Sequence, residues 1–170
     1  EDFVRDKDAV SACVILAEIA AWAKDQGLSL YQLLQKIYVE YGFSKEKGIS
    51  VVKKGKSGAE EIEAMMKKFR ENPLTEIAGS KVTYFYDYST LKGKDYAENE
   101  TVTLDMPTTS NVLQYFTEDN TKVSIRPSGT EPKIKFYCEV HSKVKSIDEL
   151  PEAEKAAEEK INQIKASLGI

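Results

Sequence analysis

Residues 121–140 read TKVSIRPSGTEPKIKFYCEV, and this stretch decides the fold. In its second half Ile134, Phe136, Cys138 and Val140 alternate with Lys133, Lys135, Tyr137 and Glu139. A period of two is the pattern of a half-buried strand. Its first half, Thr121 to Ile125, pairs as a hairpin with Asn111 to Phe116 around Glu118-Asp119-Asn120,. Pro127, Ser128, Gly129 and Pro132 are turn residues between two strands,. Consecutive strands joined by short turns imply an antiparallel sheet, covered on one face.

Working outward, Lys81 to Ser89 is another alternating run. It puts Val82, Tyr84, Tyr86 and Tyr88 on one face and Thr83, Phe85 and Asp87 on the other. Leu91 to Thr109 is polar, carries Gly93, Asn99 and Pro107, and reads as a long loop. Ile49, Val51 and Val52 suggest a short strand ending at Lys53-Lys54-Gly55. Ser57 and Glu60 have the spacing of a capping box for a helix with Ile62, Met65, Met66 and Phe69 on one face, stopped at Asn72-Pro73,. A last helix, Pro151 to Leu168, lines up Leu150, Ala153, Ala157, Ile161, Ile164 and Leu168. The order is β-α-β-β-β-α, an α+β class with helices on one face of an antiparallel sheet.

Ahead of residues 43–48 the periodicity is helical. Asp8 or Asp6 caps a helix to about Lys24, and a second helix starts after Ser29 and ends at Gly42,. In the first, Val10, Cys13, Val14, Ala17, Ala20 and Ala21 form one stripe, and Ile15, Leu16, Ile19 and Trp22 a second flank. So wide an apolar arc asks for burial on more than one side. Two helices cannot make a core by themselves, so the domains read as 1–43, a helical end of another domain, and 44–170.

With 24 Lys+Arg against 28 Asp+Glu the net charge is -4, and 41% of residues are apolar. A globular composition excludes disorder as the main state. The acidic balance argues against a nucleic-acid or membrane-surface binder. No apolar run reaches the roughly 18–20 residues of a membrane helix. Cys13 and Cys138 sit in apolar patterns and read as free buried thiols in a reducing, cytoplasmic compartment,. The chain opens Glu1-Asp2-Phe3, without Met or a basic leader, and within eight residues enters a helix apolar on nearly all sides. It reads as a cut inside a larger protein.

The chemistry concentrates at Arg126-Pro127-Ser128-Gly129-Thr130-Glu131-Pro132-Lys133-Ile134-Lys135. Arg126 offers a planar fork of donors suited to phosphate oxygens. Ser128 and Thr130 offer hydroxyls, Gly129 lets successive N–H groups turn inward, and Lys135, with Lys133 as a further candidate, adds charge. Residues 120–145 hold six cationic side chains and two carboxylates, net +4 inside an acidic chain.

RPSGTEPK, Arg126 to Lys133, resembles the phosphate-binding loop in the C-terminal domain of the α-D-phosphohexomutases, the superfamily of phosphoglucomutases, phosphomannomutases, phosphoglucosamine mutases and phosphopentomutases. Val4-Arg5-Asp6-Lys7-Asp8-Ala9-Val10 resembles the family's segment after its sugar-binding loop. Asn111-Val112-Leu113 leading into Ile125-Arg126-Pro127 is most similar to the bacterial phosphoglucomutases. The resemblance implies the end of the family's third domain followed by its fourth, a TATA-box-binding-protein-like fold. It implies that Arg126, Ser128, Gly129 and Thr130 grip the substrate's phosphate, with Lys135 as a second basic ligand and Lys7 assisting proton transfer. Glu131 receives no role. The implied parent interconverts hexose 1-phosphates and 6-phosphates through a bisphosphate and uses Mg2+. No Ser-His-Asn nucleophile string and no Asp-rich metal loop occurs in these residues, so the fragment is expected to be inactive alone, with no cofactor or metal site. Its partners would be a hexose phosphate, the parent's other domains and, through residues 9–41, a second copy.

Two rival readings are a freestanding anion-binding or regulatory module and a structural interaction domain with an ordinary turn at 126–135. The other candidates carry less. His141 has no Cys or Asp at ligand spacing,. Tyr84, Tyr86 and Tyr88 sit beside Asp87 with few cations and read as packing. Cys138 lies on an apolar strand face. Lys53, Lys54 and Lys56 read as solvated.

Overall fold

The computed structural model describes residues 7–53 and 55–170, the side chain of Lys56 excepted. The expectations placed on residues 1–6, among them Asp6 as a cap, and on Lys54 and the Lys56 side chain lie outside the described residues. The chain divides into two compact units. One takes the chain up to Phe43 together with Lys143–Leu150; the other takes Ser44–Ser142 and Pro151–Ile170.

In the first unit α1 spans Ala9–Asp25 and α2 spans Leu30–Tyr41. The Asp8 carboxylate accepts from the N–H groups of Val10 and Ser11, two of the donors a helix start leaves unpaired,. Ser29 and Gln32 form a reciprocal capping box on α2,. Tyr38 meets Phe43 edge-on at 5.1 Å. α1 buries only Ala23 and leaves the apolar flank of Ile15, Leu16, Ile19 and Trp22 exposed; Cys13 is exposed as well, contrary to the buried thiol expected there.

The second unit is an eight-stranded antiparallel sheet with two helices. Its elements are β1 (Phe43–Val52, its first residue in the other unit), α3 (Lys56–Glu71), β2 (Glu76–Ile77), β3 (Ser80–Asp87), β4 (Lys92–Asp95), β5 (Glu100–Thr103), β6 (Leu113–Thr117), β7 (Lys122–Pro127), β8 (Lys133–Ser142) and α4 (Leu150–Leu168, its first residue also in the other unit). The strand order is β1-β8-β7-β6-β3-β4-β5, with β2 against β3. Leu113, Tyr115, Val123, Ile125, Ile134, Phe136, Cys138 and Val140 share the covered face. From α3 come Ile62, Met66 and Phe69, and from α4 Ala157, Ile161, Ile164 and Leu168. Phe69 packs edge-on to Phe136 at 6.1 Å. Burying a large apolar side chain stabilises by ~1.5–3 kcal/mol, so this layer holds the unit together.

The structure departs from the sequence reading in three further places. The polar stretch expected to be a loop holds the β4–β5 hairpin, turned at Asn99 with φ +56°. It is an edge hairpin of Lys, Asp, Glu and Thr, the composition that blunts an exposed sheet edge. On β3 a bulge at Thr83 adds one residue between Val82 and Tyr84. Val82 therefore joins Phe85 and Asp87 on the covered side, and Tyr84 and Tyr86 go to the open face, where Tyr86 packs against Phe116 at 5.3 Å,. The Ser57/Glu60 capping box does not form, because α3 starts earlier, from Gly55, and no side chain caps it. Gly58 is the close contact instead: a Cβ there would lie 2.6 Å from the Lys53 carbonyl oxygen.

Candidate functional site

β7 runs up to Pro127 and β8 leaves from Lys133, so residues 128–132 form the connecting loop. Arg126 stands directly opposite Lys135 in the antiparallel register, while Pro127 faces Ile134. Alternation puts Pro127 and Ile134 toward the helices and Arg126 and Lys135 on the open face of the sheet. Three backbone bonds set the loop. The Ser128 N–H donates to the Lys133 carbonyl at 2.8 Å, the Lys133 N–H to the Glu131 carbonyl at 2.7 Å, and the Lys53 N–H to the Pro132 carbonyl at 2.9 Å. Among the described residues the N–H groups of Gly129, Thr130 and Glu131 make no hydrogen bond.

The charges divide. Lys133 pairs with Glu131. The Lys133 ammonium, by hydrogen bond and by charge, holds the Glu131 carboxyl below its usual range, with a smaller contribution from Lys135. Arg126 and Lys135 have no ion pair among the described residues. Like charges directly opposite on a sheet destabilise it. A pair left so is an arrangement suited to an anion.

On the helical side, residues 127–132 form one wall of a cleft of about 910 Å³ whose other wall is α3, with Ala59, Ile62, Met66, Lys67 and Arg70. Arg70 is held by Asp87 at 2.9 Å and Asn111 at 2.8 Å. The loop thus separates the cleft from the open face. Gly129 does not take a left-handed conformation, and a Cβ there would meet nothing within 4 Å. No residue from 126 to 133 has a positive φ, so the alternating right- and left-handed backbone of a nest is not formed. The inward turn expected from Gly129 is corrected accordingly.

Lys7 belongs to the first unit and lies exposed just ahead of the Asp8 cap. His141 meets Glu139 at 2.8 Å, and Glu139 meets Lys122 at 2.5 Å. The bond from Lys122, with a weaker one from His141, holds the Glu139 carboxyl below its usual range. Burial pushes the Cys138 thiol up to about 11, which keeps it protonated and unreactive at neutral pH,. Among the described residues no group of three or more His, Cys, Asp or Glu is placed to hold a metal ion. No helix among them is long and apolar enough to cross a membrane.

Sequence reasoning passed over the row beside Arg126 and Lys135. Ser124 and Tyr137 are register partners two residues along, and Gln114 pairs with Ser124 from β6. The alternation that placed Lys135 also placed Tyr137. Only the register, which the sequence does not display, brings Gln114 and Ser124 beside it.

The model of the family described as phosphoglucomutase/phosphomannomutase, C-terminal domain, matches residues 49–157. The chain belongs to this family. A phosphoglucomutase of Staphylococcus haemolyticus is 37% identical over 141 residues, covering 83% of this chain and 25% of the relative. One from Staphylococcus aureus is 38% identical over 137 residues, covering 81% and 24%. A solved phosphoglucomutase from Paramecium, parafusin in an open form, matches with a TM-score of 0.48 at 16% identity, covering 86% of this chain and 24% of that one. The chain therefore spans about a quarter of the length of the curated relatives it matches. Within the family match lie both strands of the candidate site and the loop between them.

Proposed function

We propose that this chain is the phosphate-gripping part of a cytoplasmic phosphohexose mutase. The observation that carries this reading is the cross-strand pair Arg126–Lys135, two cations set opposite each other at the base of the loop with no ion pair among the described residues. Arg126 supplies a bidentate fork and Lys135 a point charge. Ser128 and Thr130 add hydroxyls, and the amides of Gly129, Thr130 and Glu131 add donors. Lys133 is left out of the grip because Glu131 neutralises it. Lys7 keeps the proton-transfer role that the resemblance implies.

The grip works by positioning. Holding the phosphate that does not react fixes which sugar hydroxyl meets the donor phosphate. A bisphosphate turned by half a revolution would exchange its two phosphates between grip and donor. The grip must then recognise phosphate and little of the ring's handedness. Glucose phosphates are the proposed substrate, since the relatives matched at 37% and 38% identity are named phosphoglucomutases. Magnesium, in this reading, is held by other parts of the longer enzyme, and no residue of this chain is assigned to it.

The test is Arg126→Ala in the full-length enzyme, assayed with glucose 1-phosphate and mannose 1-phosphate. Losing a charge-assisted contact of ~1.5–3 kcal/mol lowers kcat/KM about tenfold or more. Kinetics unchanged within about twofold would remove the loop from the active site.

A further inference from the structure

The loop that carries Ser128, Gly129 and Thr130 is anchored from outside its own hairpin at one point. The Lys53 N–H donates to the Pro132 carbonyl at 2.9 Å, and among the described residues no other hydrogen bond ties residues 128–132 to a neighbouring element. Proline has no N–H, so that carbonyl is the one backbone polar group Pro132 can offer. Lys53 follows β1, the strand beside β8, at the turn into α3. Its position is set from the other side by Gly58, in the first turn of α3. A Cβ on Gly58 would lie 2.6 Å from the Lys53 carbonyl oxygen, 2.8 Å from the carbonyl carbon and 3.0 Å from Lys53 Cβ. These atoms belong to the main chain or are fixed to it, so they cannot swing aside as the tip of a long side chain can. Gly58 is buried and its φ is not positive, so glycine stands here for closeness and not for a left-handed conformation. The Lys53 ammonium adds an ion pair to Glu61 at 3.1 Å, partly exposed on both sides and therefore worth little,.

Helix, Lys53 and loop thus form one line of contacts. The glycine lets α3 close on the Lys53 carbonyl, and the N–H of the same residue holds the loop. A methyl group at position 58 would have to push Lys53 away by roughly 1 Å to reach ordinary contact. Ligand geometry is sensitive to displacements of about that size. We propose that Gly58 is a positioning residue for the phosphate-binding loop, acting through the Lys53–Pro132 hydrogen bond. The inference rests on the phosphate-grip reading and adds to it the element that sets where the loop stands.

Titration of the 170-residue chain with inorganic phosphate, followed by nuclear magnetic resonance, tests it. In the unmodified chain phosphate should shift the amides of residues 126–135. It should also slow hydrogen exchange of the Lys53 amide at least threefold more than that of the β6 amides, because a ligand and a brace that favour the same loop position support each other. Gly58→Ala should bind phosphate at least threefold more weakly, although alanine is the better helix former. Gly48→Ala, in β1 with open space around its Cβ, should bind as the unmodified chain does. If Gly58→Ala loses less than threefold, or Gly48→Ala loses as much, Gly58 does not position the loop and the grip stands. If Gly58→Ala does not fold, Lys53 exchange in the unmodified chain decides: a slowing no greater than in β6 overturns the brace. If phosphate leaves the loop amides unmoved, the grip itself is wrong and the positioning role falls with it.

Discussion

The hydroxyl of Tyr115 donates to the backbone carbonyl of Phe69 at 2.9 Å. Phe69 lies in the last turn of α3, and the N–H that would normally serve its carbonyl belongs to position 73,. That residue is Pro73, which has none,. Tyr115, wholly buried in β6, replaces the missing donor and joins the helix end to the sheet. Burial raises the phenol far above its ordinary range, so it remains a donor at neutral pH. Tyr115→Phe should therefore destabilise the chain by ~1–3 kcal/mol in urea unfolding, the cost of an orphaned buried acceptor. A loss below about 0.5 kcal/mol would show that the carbonyl finds another partner.

Asp119, in the β6–β7 turn, pairs with Lys160 of α4 and accepts from Thr117 and Thr121. Burial works to raise its carboxyl, but the bonds from Lys160, Thr117 and Thr121 together hold it well below the usual range. A depressed folded-state value gives stability that is present above the unfolded carboxylate value of about 3.9 and is lost as pH falls from there. The side chain is 38% exposed, so solvent screening keeps the contribution near ~1 kcal/mol. Asp119→Asn should be less stable than the unmodified chain at pH 7, and the gap should shrink below about pH 4. A gap constant from pH 7 to pH 3 would assign the loss to packing and not to charge.

Where side-chain alternation was strict, the fold was legible in the chain. Ile134 to Val140 gave β8 its covered face, and Asp8, Ser29 and Asn72 marked helix ends. The failures have local causes. Lys92–Asp95 and Glu100–Thr103 have almost no apolar residue, since an edge hairpin buries little, so no hydrophobic period announces them. The Thr83 bulge moves Val82 off the face of Tyr84 by inserting one residue, which no periodic reading detects,. The candidate loop was visible as a motif, but that Arg126 and Lys135 share a row depends on the β7–β8 register.

That row makes a prediction about stability against binding. Lys135→Gln removes a like charge facing Arg126. The chain should be unchanged or stabilised by up to ~0.5 kcal/mol, since like pairs across a sheet are unfavourable. Its affinity for inorganic phosphate should fall at least threefold. Thermal unfolding and a phosphate titration on the same sample decide it, and a clear loss of stability would mean that Lys135 supports the sheet and not a ligand.

Gly129 separates conformation from contact. Its φ is not left-handed, and a Cβ would enter open space. Gly129→Ala should therefore fold with stability changed by no more than ~0.5 kcal/mol. Any fall in phosphate affinity then reports a ligand that approaches the backbone closely at this point. Marked destabilisation would show that the loop needs a backbone freedom this structure does not use.

The last prediction concerns α1 and α2. In α1, Val10, Val14, Ile15, Leu16, Ile19 and Trp22 are each at least 40% exposed. α2 buries no residue fully and exposes Leu30, Tyr31, Leu34, Ile37 and Tyr41. Contiguous apolar surface of this kind marks an interaction face. Covering one large apolar side chain returns ~1.5–3 kcal/mol, so a few suffice to drive association. The 170-residue chain should self-associate through residues 9–41 as concentration rises, with Trp22 emission moving to shorter wavelength. Leu16→Glu combined with Ile19→Glu should leave a monomer in light scattering. The sheet unit, residues 44–142 and 151–170, should unfold as before, since its core uses neither residue. A strict monomer with strongly protected amides from Ala9 to Trp22 in hydrogen exchange would overturn this, because the helix would then be stable without a partner.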